Sequence, residues 1–209
     1  MKSIVNEIEL KLKSGRRGKI LFAVDFNLLG LPKAVNKAME RLTESGLLIR
    51  LAHGIYLYPQ MDTRLGLGVL YPTVETIAHE IAKRDKARIV PTGVYALNVL
   101  GLSTQIPMNV VFLTDGAARK IKIGNGQGIV FKRTVAKNLS YKNDVLMLAV
   151  SALKEIGEGN ATSEQLSKIK DLISKEKRED IIVDLQLAPA WIKKLLMYEH
   201  QMDTPQPSS

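Results

Sequence analysis

Lys33, Asn36, Lys37 and Arg41 are the residues whose types and spacing best suit chemistry, and all four lie within "PKAVNKAMERLTES", residues 32–45. At 100° per residue, Lys33, Asn36, Lys37 and Glu40 share one side of a helix, with Arg41 at its edge. Lysine and arginine in that position can neutralise phosphates or reach a guanine edge, and asparagine is the side chain that pairs with an adenine edge. Arg16 and Arg17 in "GRRGK" stand on a loop that can clamp phosphates, and Lys19, which opens the next element, is a further candidate for contact with DNA. Arg50 and His53 belong to "LLIRLAHGIYLYP", residues 47–59, whose tip can meet a neighbouring backbone or minor groove. The bland alternative is that a polar helix face is only the face that water covers, and that a turn histidine is simply exposed.

Other chemistry is scarce. The chain has no cysteine, which removes disulfides, thiolate catalysis and cysteine-based zinc fingers. His79-Glu80 lacks the second histidine of a helical zinc motif, and the three histidines are far apart. "GNGQG" has neither the Lys-Ser/Thr of a phosphate-binding P-loop nor a strand-to-helix setting, so it reads as a hairpin turn. No Gly-x-Ser-x-Gly elbow and no suggestive carboxylate pair occurs. Hence no catalytic residue, no metal and no cofactor is expected, and an enzyme is the minor hypothesis.

The elements that must hold the basic side chains are legible. Ile4, Val5, Ile8 and Leu12 recur at helical spacing, with Ser3 as cap and Gly15 as stop. Lys19 to Val24 is short and β-prone, a strand. Asp25 or Asn27 can cap a brief helical turn that Gly30 ends, and Pro32 opens a strong helix. Val35, Ala38, Met39 and Leu42 are the buried face of that helix, and Gly46 stops it. Two alternating arms follow, joined at "AHG", where Gly54 takes the positive φ of a tight turn. Alternation predicts Leu47, Ile49 and Leu51 on one face of the first arm, with Ile55, Leu57 and Pro59 on one face of the second and Tyr56 and Tyr58 on the other. Helix, strand, short helix, helix, hairpin is the order of a winged helix-turn-helix, expected over residues 1–60.

Residues 61–200 read as a second domain. Val74, Ile77, Ala78 and Ile81 share a helical face, and "KRDKAR" follows as a charge run. A second helix follows Thr92 as its cap. Strands at Val110 to Thr114, Lys120 to Ile123 and Ile129 to Val135 imply an antiparallel meander. Helices at Asn143 to Ile156, Ser163 to Glu176 and Trp191 to Tyr198 close the chain, with the single tryptophan in the core. The fold class is therefore α+β: a winged helix-turn-helix followed by a mixed helix and antiparallel-strand domain. Residues 201–209 read as a disordered tail.

Composition fits this reading. Thirty Lys and Arg against twenty-one Asp and Glu give a net charge of +9, which favours an anionic partner, nucleic acid first. The first sixty residues hold ten basic and five acidic side chains, the remainder twenty and sixteen. The surplus is densest where the helix-turn-helix is expected. Acidic residues interrupt the N-terminus too early for a secretory segment, and no apolar run approaches the ~18 residues of a membrane span. A soluble, cytoplasmic protein without membrane contact is the expectation.

At this point the chain resembles the AbiEi-type antitoxins of bacterial type IV toxin-antitoxin systems. The residues that carry the resemblance are "DFNLLG" (25–30), "AMERLTESGLL" (38–48), "HGIYLYP" (53–59), "PTVETIAHEIAKRD" (72–85) and "PTGVYALNVLGLSTQIP" (91–107). The resemblance implies an N-terminal winged helix that represses its own promoter by binding inverted repeats in double-stranded DNA, and a C-terminal domain with antitoxin activity. It also implies functional pairing with a nucleotidyltransferase toxin, and the two-fold symmetry of inverted repeats implies a homodimer. One departure is the recognition helix, which is short and mixes Glu40 and Glu44 among its bases. The alternative is a protein-interaction module whose winged helix is structural and whose basic face meets an acidic protein.

Overall fold

The computed structural model describes residues 3–124 and 126–197; the expected tail at 201–209 and Tyr198 lie outside them. The chain is a mixed helix and strand protein made of two compact units. Ile121–Gly128 joins the N-terminal stretch up to Ile81 in the first unit, and Ala82–Lys120 with the chain from Ile129 onward forms the second. The first unit is thus larger than the sixty-residue module, because it runs on to Ile81 and recruits a short stretch from far along the sequence.

In the first unit, helix α1 (Ile4–Lys13) starts at Ser3, whose hydroxyl accepts the Asn6 N–H at 3.2 Å. Strand β1 (Ile20–Phe22) leads into a 3-10 turn, Ala23–Leu29, and then into helix α2 (Pro32–Glu44). Gly30, at φ 165, is extended rather than left-handed. A Cβ there would lie 2.5 Å from Cδ1 of Ile4, so any larger residue would make the end of that side chain shift. Gly46, at φ +76, does end α2 as expected, its N–H donating to Thr43 C=O at 3.0 Å.

Strands β2 (Ile49–Ala52) and β3 (Ile55–Leu57) follow, and the sheet order is β1-β3-β2, with both neighbours of β3 antiparallel to it. Two parts of the predicted alternation are corrected here. A bulge between Arg50 and Ala52 breaks the register, so Leu51 and Ala52 are both buried while Ile49 is only half-buried. Both faces of the central strand β3 are covered, so Tyr56 and Tyr58 are as buried as Ile55 and Leu57. Tyr56 and Tyr58 join Ile8, Leu12, Val35, Met39 and Leu42 in one core. From the recruited segment, Gly124 donates its N–H to Leu51 C=O at 2.9 Å, satisfying part of the β2 edge.

Gly54 sits at φ +71 with nothing within 4 Å of where a Cβ would be. Gly54→Ala therefore adds backbone strain and no clash, and should lower stability by about 1 kcal/mol without altering the spectrum of the folded state. Urea unfolding reads that difference directly.

A small two-stranded sheet comes next, β4 (Met61–Asp62) with β5 (Gly68–Val69), then helix α3 (Val74–Arg84). Further along come strand β6 (Ile89–Thr92), helix α4 (Val94–Val99), and strands β7 (Asn109–Thr114), β8 (Arg119–Lys122) and β9 (Gly128–Arg133). The sheet order β6-β7-β9-β8 overturns the meander, because β9 stands between β7 and β8. The fourth strand, β6, was hidden by Pro91 and by the charge run before it. Ile89 to Thr92 pairs antiparallel with Val111 to Thr114.

Helices α5 (Asp144–Ile156), α6 (Ser163–Ser174), α7 (Arg178–Leu185) and α8 (Ala190–Met197) complete the second unit. Thr162 and Gln165 form a reciprocal capping box at the start of α6. Leu146, Leu153, Ile169 and Ile192 are wholly buried in the shared core, and Trp191 is half-buried against it.

Two aspartates, each held by arginine, flank the sheet. Arg88 reaches Asp115 at 2.9 Å, and Asp85 takes hydrogen bonds from Arg84 and Arg119. The Arg88 hydrogen bonds hold the Asp115 carboxyl below its ordinary value of 3.8. Burial pushes Asp85 up, but Arg84 and Arg119 together pull it lower still, so it too lies below 3.8. Both pairs therefore contribute fully above the unfolded-state pKa, and the contribution is lost as pH falls through the lower folded-state value. Asp115→Asn should lower the melting temperature at neutral pH and converge on the wild type as pH falls below 3.8 and through the lowered folded-state pKa of Asp115.

Candidate nucleic-acid interface

The α2 helix is amphipathic. Val35 and Met39 are wholly buried, and Ala38 and Leu42 are 3 % exposed. At roughly 2 kcal/mol per buried aliphatic side chain, that face alone accounts for why the helix is there. Lys33, Asn36, Lys37, Glu40 and Arg41 are exposed on the opposite side. Among the described residues, none of Lys33, Lys37 and Arg41 forms an ion pair. The helix also opens on Leu31 without a side-chain cap and has no acidic residue in its first turn. Its positive end is thus left without a neutralising group of its own.

At the hairpin, Arg50 and His53 are brought together, with Nη2 of Arg50 3.1 Å from Nδ1 of His53. Burial pushes the Tyr56 phenol above its ordinary value of 10, while Arg50 pulls it down and Glu40 pushes it up.

The Arg16–Lys19 loop is held elsewhere. Gly18 N–H donates to Tyr58 C=O at 2.7 Å, and Tyr58 N–H donates to Lys19 C=O at 2.9 Å. This loop therefore flanks the end of β3, about 10–15 Å along the strand from the His53-Gly54 turn. Arg17 is engaged by the protein itself: its guanidinium lies 4.8 Å over the Tyr58 ring and donates to Pro59 C=O at 3.1 Å. Arg16 and Lys19 are exposed. Of the nine sequence candidates, Arg50 and His53 meet at the hairpin, Lys33, Asn36, Lys37 and Arg41 share α2, and Arg16, Arg17 and Lys19 stand by the far end of β3.

Sequence reasoning missed a cleft in the second unit, about 380 Å³, lined by Thr92, Gly93, Tyr95, Asn109, Lys132 and Glu155. Its residues come from β6, α4, β7, β9 and α5, so no local spacing announces it. Among the described residues no three histidines or carboxylates gather as a metal site, and no helix is long and apolar enough to cross a membrane.

No functionally curated protein matches the chain. A solved structure similar to it is the RV2827C protein from Mycobacterium tuberculosis, at 13 % identity and a TM-score of 0.42 over 93 % of this chain and 80 % of that one. A family model matches residues 7–181. That span covers most of the 209 residues, and the chain belongs to the DUF6088 family, a family of unknown function.

Proposed function

We propose that the first unit is a winged helix-turn-helix that binds double-stranded DNA, and that the protein is an autorepressor and antitoxin of a type IV toxin-antitoxin system. The observation that carries the DNA reading is the outer face of α2, where Lys33, Lys37 and Arg41 are exposed and unpaired among the described residues. In this reading α2 enters the major groove, and Arg50 and His53 on the hairpin meet the flanking backbone. Arg16 and Lys19 contact a separate stretch of phosphates. The AbiEi resemblance supplies the antitoxin role and the inverted-repeat operator.

Fluorescence anisotropy with DNA from the protein's own promoter tests the proposal. Binding should weaken steeply as salt rises, because each neutralised phosphate releases a counterion. Undetectable or salt-insensitive binding would refute it.

A second reading has one observation in its favour. Val24, Leu28 and Leu31 are exposed at 56, 97 and 78 % just before and at the start of α2, as suits contact with a protein. Co-purification with the neighbouring gene product, unchanged by alanine at Lys33, Asn36 and Lys37, would favour an interaction module.

A further inference from the structure

We propose that the β4–β5 hairpin is a dimerisation arm that docks on the same hairpin of a second copy of this chain. The stretch Met61 to Tyr71 exposes Met61 at 54 %, Leu65 at 77 %, Leu67 at 64 %, Leu70 at 39 % and Tyr71 at 64 %. Scattered exposed apolar residues are ordinary, but five within eleven consecutive positions form a patch. The display is also built: Asp62 Oδ1 accepts the N–H groups of Arg64 and Leu65 at 2.8 and 3.0 Å, and Leu70 N–H donates to Gln60 C=O at 2.9 Å. Holding an apolar loop in one conformation in water costs chain entropy with nothing buried in return. A two-stranded hairpin on its own is marginal, and a second pair of strands offsets both costs.

Charge selects a second copy as the occupant. Residues 61–72 carry one Asp and one Arg, a neutral island in a chain of +9. A polyanion has nothing to grip there, and two copies of a basic protein approach best where neither is charged. Arg64 forms no ion pair among the described residues, and the second oxygen of Asp62 accepts none of the loop's bonds. A two-fold axis sets Arg64 of each copy beside Asp62 of the other, so the arm is complementary to itself.

The area is modest. At roughly 150–200 Å² for each side chain of this size, the five leave about 500 Å² per copy. The pair buries on the order of 1,000 Å², at the low end for a specific interface and the size class of reversible contacts. This proposal does not rest on the DNA reading, and its test contains no DNA.

Sedimentation velocity over a concentration series, from low micromolar upward at physiological salt, is the experiment. The wild type should move from monomer to dimer, while the Leu65→Asp/Leu67→Asp variant should stay monomeric throughout with an unchanged circular dichroism spectrum and melting temperature. Arg64→Glu, which leaves both turn hydrogen bonds in place, should weaken association about tenfold, the scale of one interfacial charge contact. A wild type that stays monomeric at its highest concentration would overturn the proposal. So would a double-aspartate variant that dimerises like the wild type, or a monomeric chain whose hairpin instead binds phosphatidylglycerol vesicles.

Discussion

The Lys33→Ala/Asn36→Ala/Lys37→Ala variant should lose promoter DNA binding by about a hundredfold or more while remaining folded. Each lysine placed on a phosphate contributes about 0.9 to the slope of log affinity against log salt. Removing two should flatten that slope by nearly two. Asn36, if it reads an adenine edge, adds about 1–3 kcal/mol of discrimination, so the variant should also separate operator from unrelated DNA less well. Stability should move the other way. All three side chains are exposed on the outer face of α2, and alanine is the better helix former at each site, with asparagine the poorest of the three originals. Two positive charges also leave a basic unit. A melting temperature equal to or slightly above the wild type, together with lost binding, is the expected pair of results. Retained binding would remove α2 from the interface, and a collapsed fold would mean that these side chains hold the core.

The elements around α2 were legible because their burial is one-sided. Val35, Ala38, Met39 and Leu42 recur with the helical period, and the same period leaves Lys33, Asn36 and Lys37 outside. Ser3, Gly46 and Gly54 were readable for a similar reason, since a cap or a positive φ is a demand of the local backbone. Legibility stopped where a partner distant in sequence decides the outcome. Tyr56 and Tyr58 alternate with Ile55 and Leu57 as an amphipathic strand would, yet β3 lies between β1 and β2 and is covered on both faces. The bulge at Arg50 and Ala52 is a property of the β2–β3 pair, and no residue type in "IRLA" prescribes it. Insertion of β9 between β7 and β8 is likewise a choice among pairings that alternate equally well. Within the candidate interface, Arg17 shows the same limit. Its type and its loop suit a phosphate, but the ring of Tyr58 and the carbonyl of Pro59, both some forty residues on, already hold it. Arg17→Ala should therefore register in stability as well as in binding, whereas Arg16 should register in binding alone.

The largest stability effect is expected from a residue that the sequence did not single out. Asp184, on α7, is 2 % exposed, and a buried carboxylate is sustained only by donors. Its Oδ2 accepts the N–H groups of Lys142 and Asn143 at 2.6 and 2.7 Å. Asn143 in turn caps α5, its Oδ1 accepting the Leu146 N–H at 2.8 Å, and its Nδ2 donates to Glu176 at 2.6 Å. One oxygen on α7 thus fixes the start of α5. Asp184→Ala strands two donors in a largely dry site and loosens the cap beyond them, a cost of about 2–5 kcal/mol. Asp184→Asn behaves differently, because its amide oxygen can occupy the place of Oδ2 and accept both bonds, so most of the loss should be recovered. The neighbouring Tyr141 supplies an independent reading. Burial first, and the Asp184 charge second, push its phenol up to about 12. In the asparagine variant the charge is gone and the burial remains, so ultraviolet titration should find the phenol lower than in the wild type but still above 10, its ordinary value. Denaturant unfolding of the two variants then separates hydrogen bonding from charge. If asparagine is as damaging as alanine, the negative charge itself holds α5 in place; if it is nearly neutral while Tyr141 moves down, the two hydrogen bonds do.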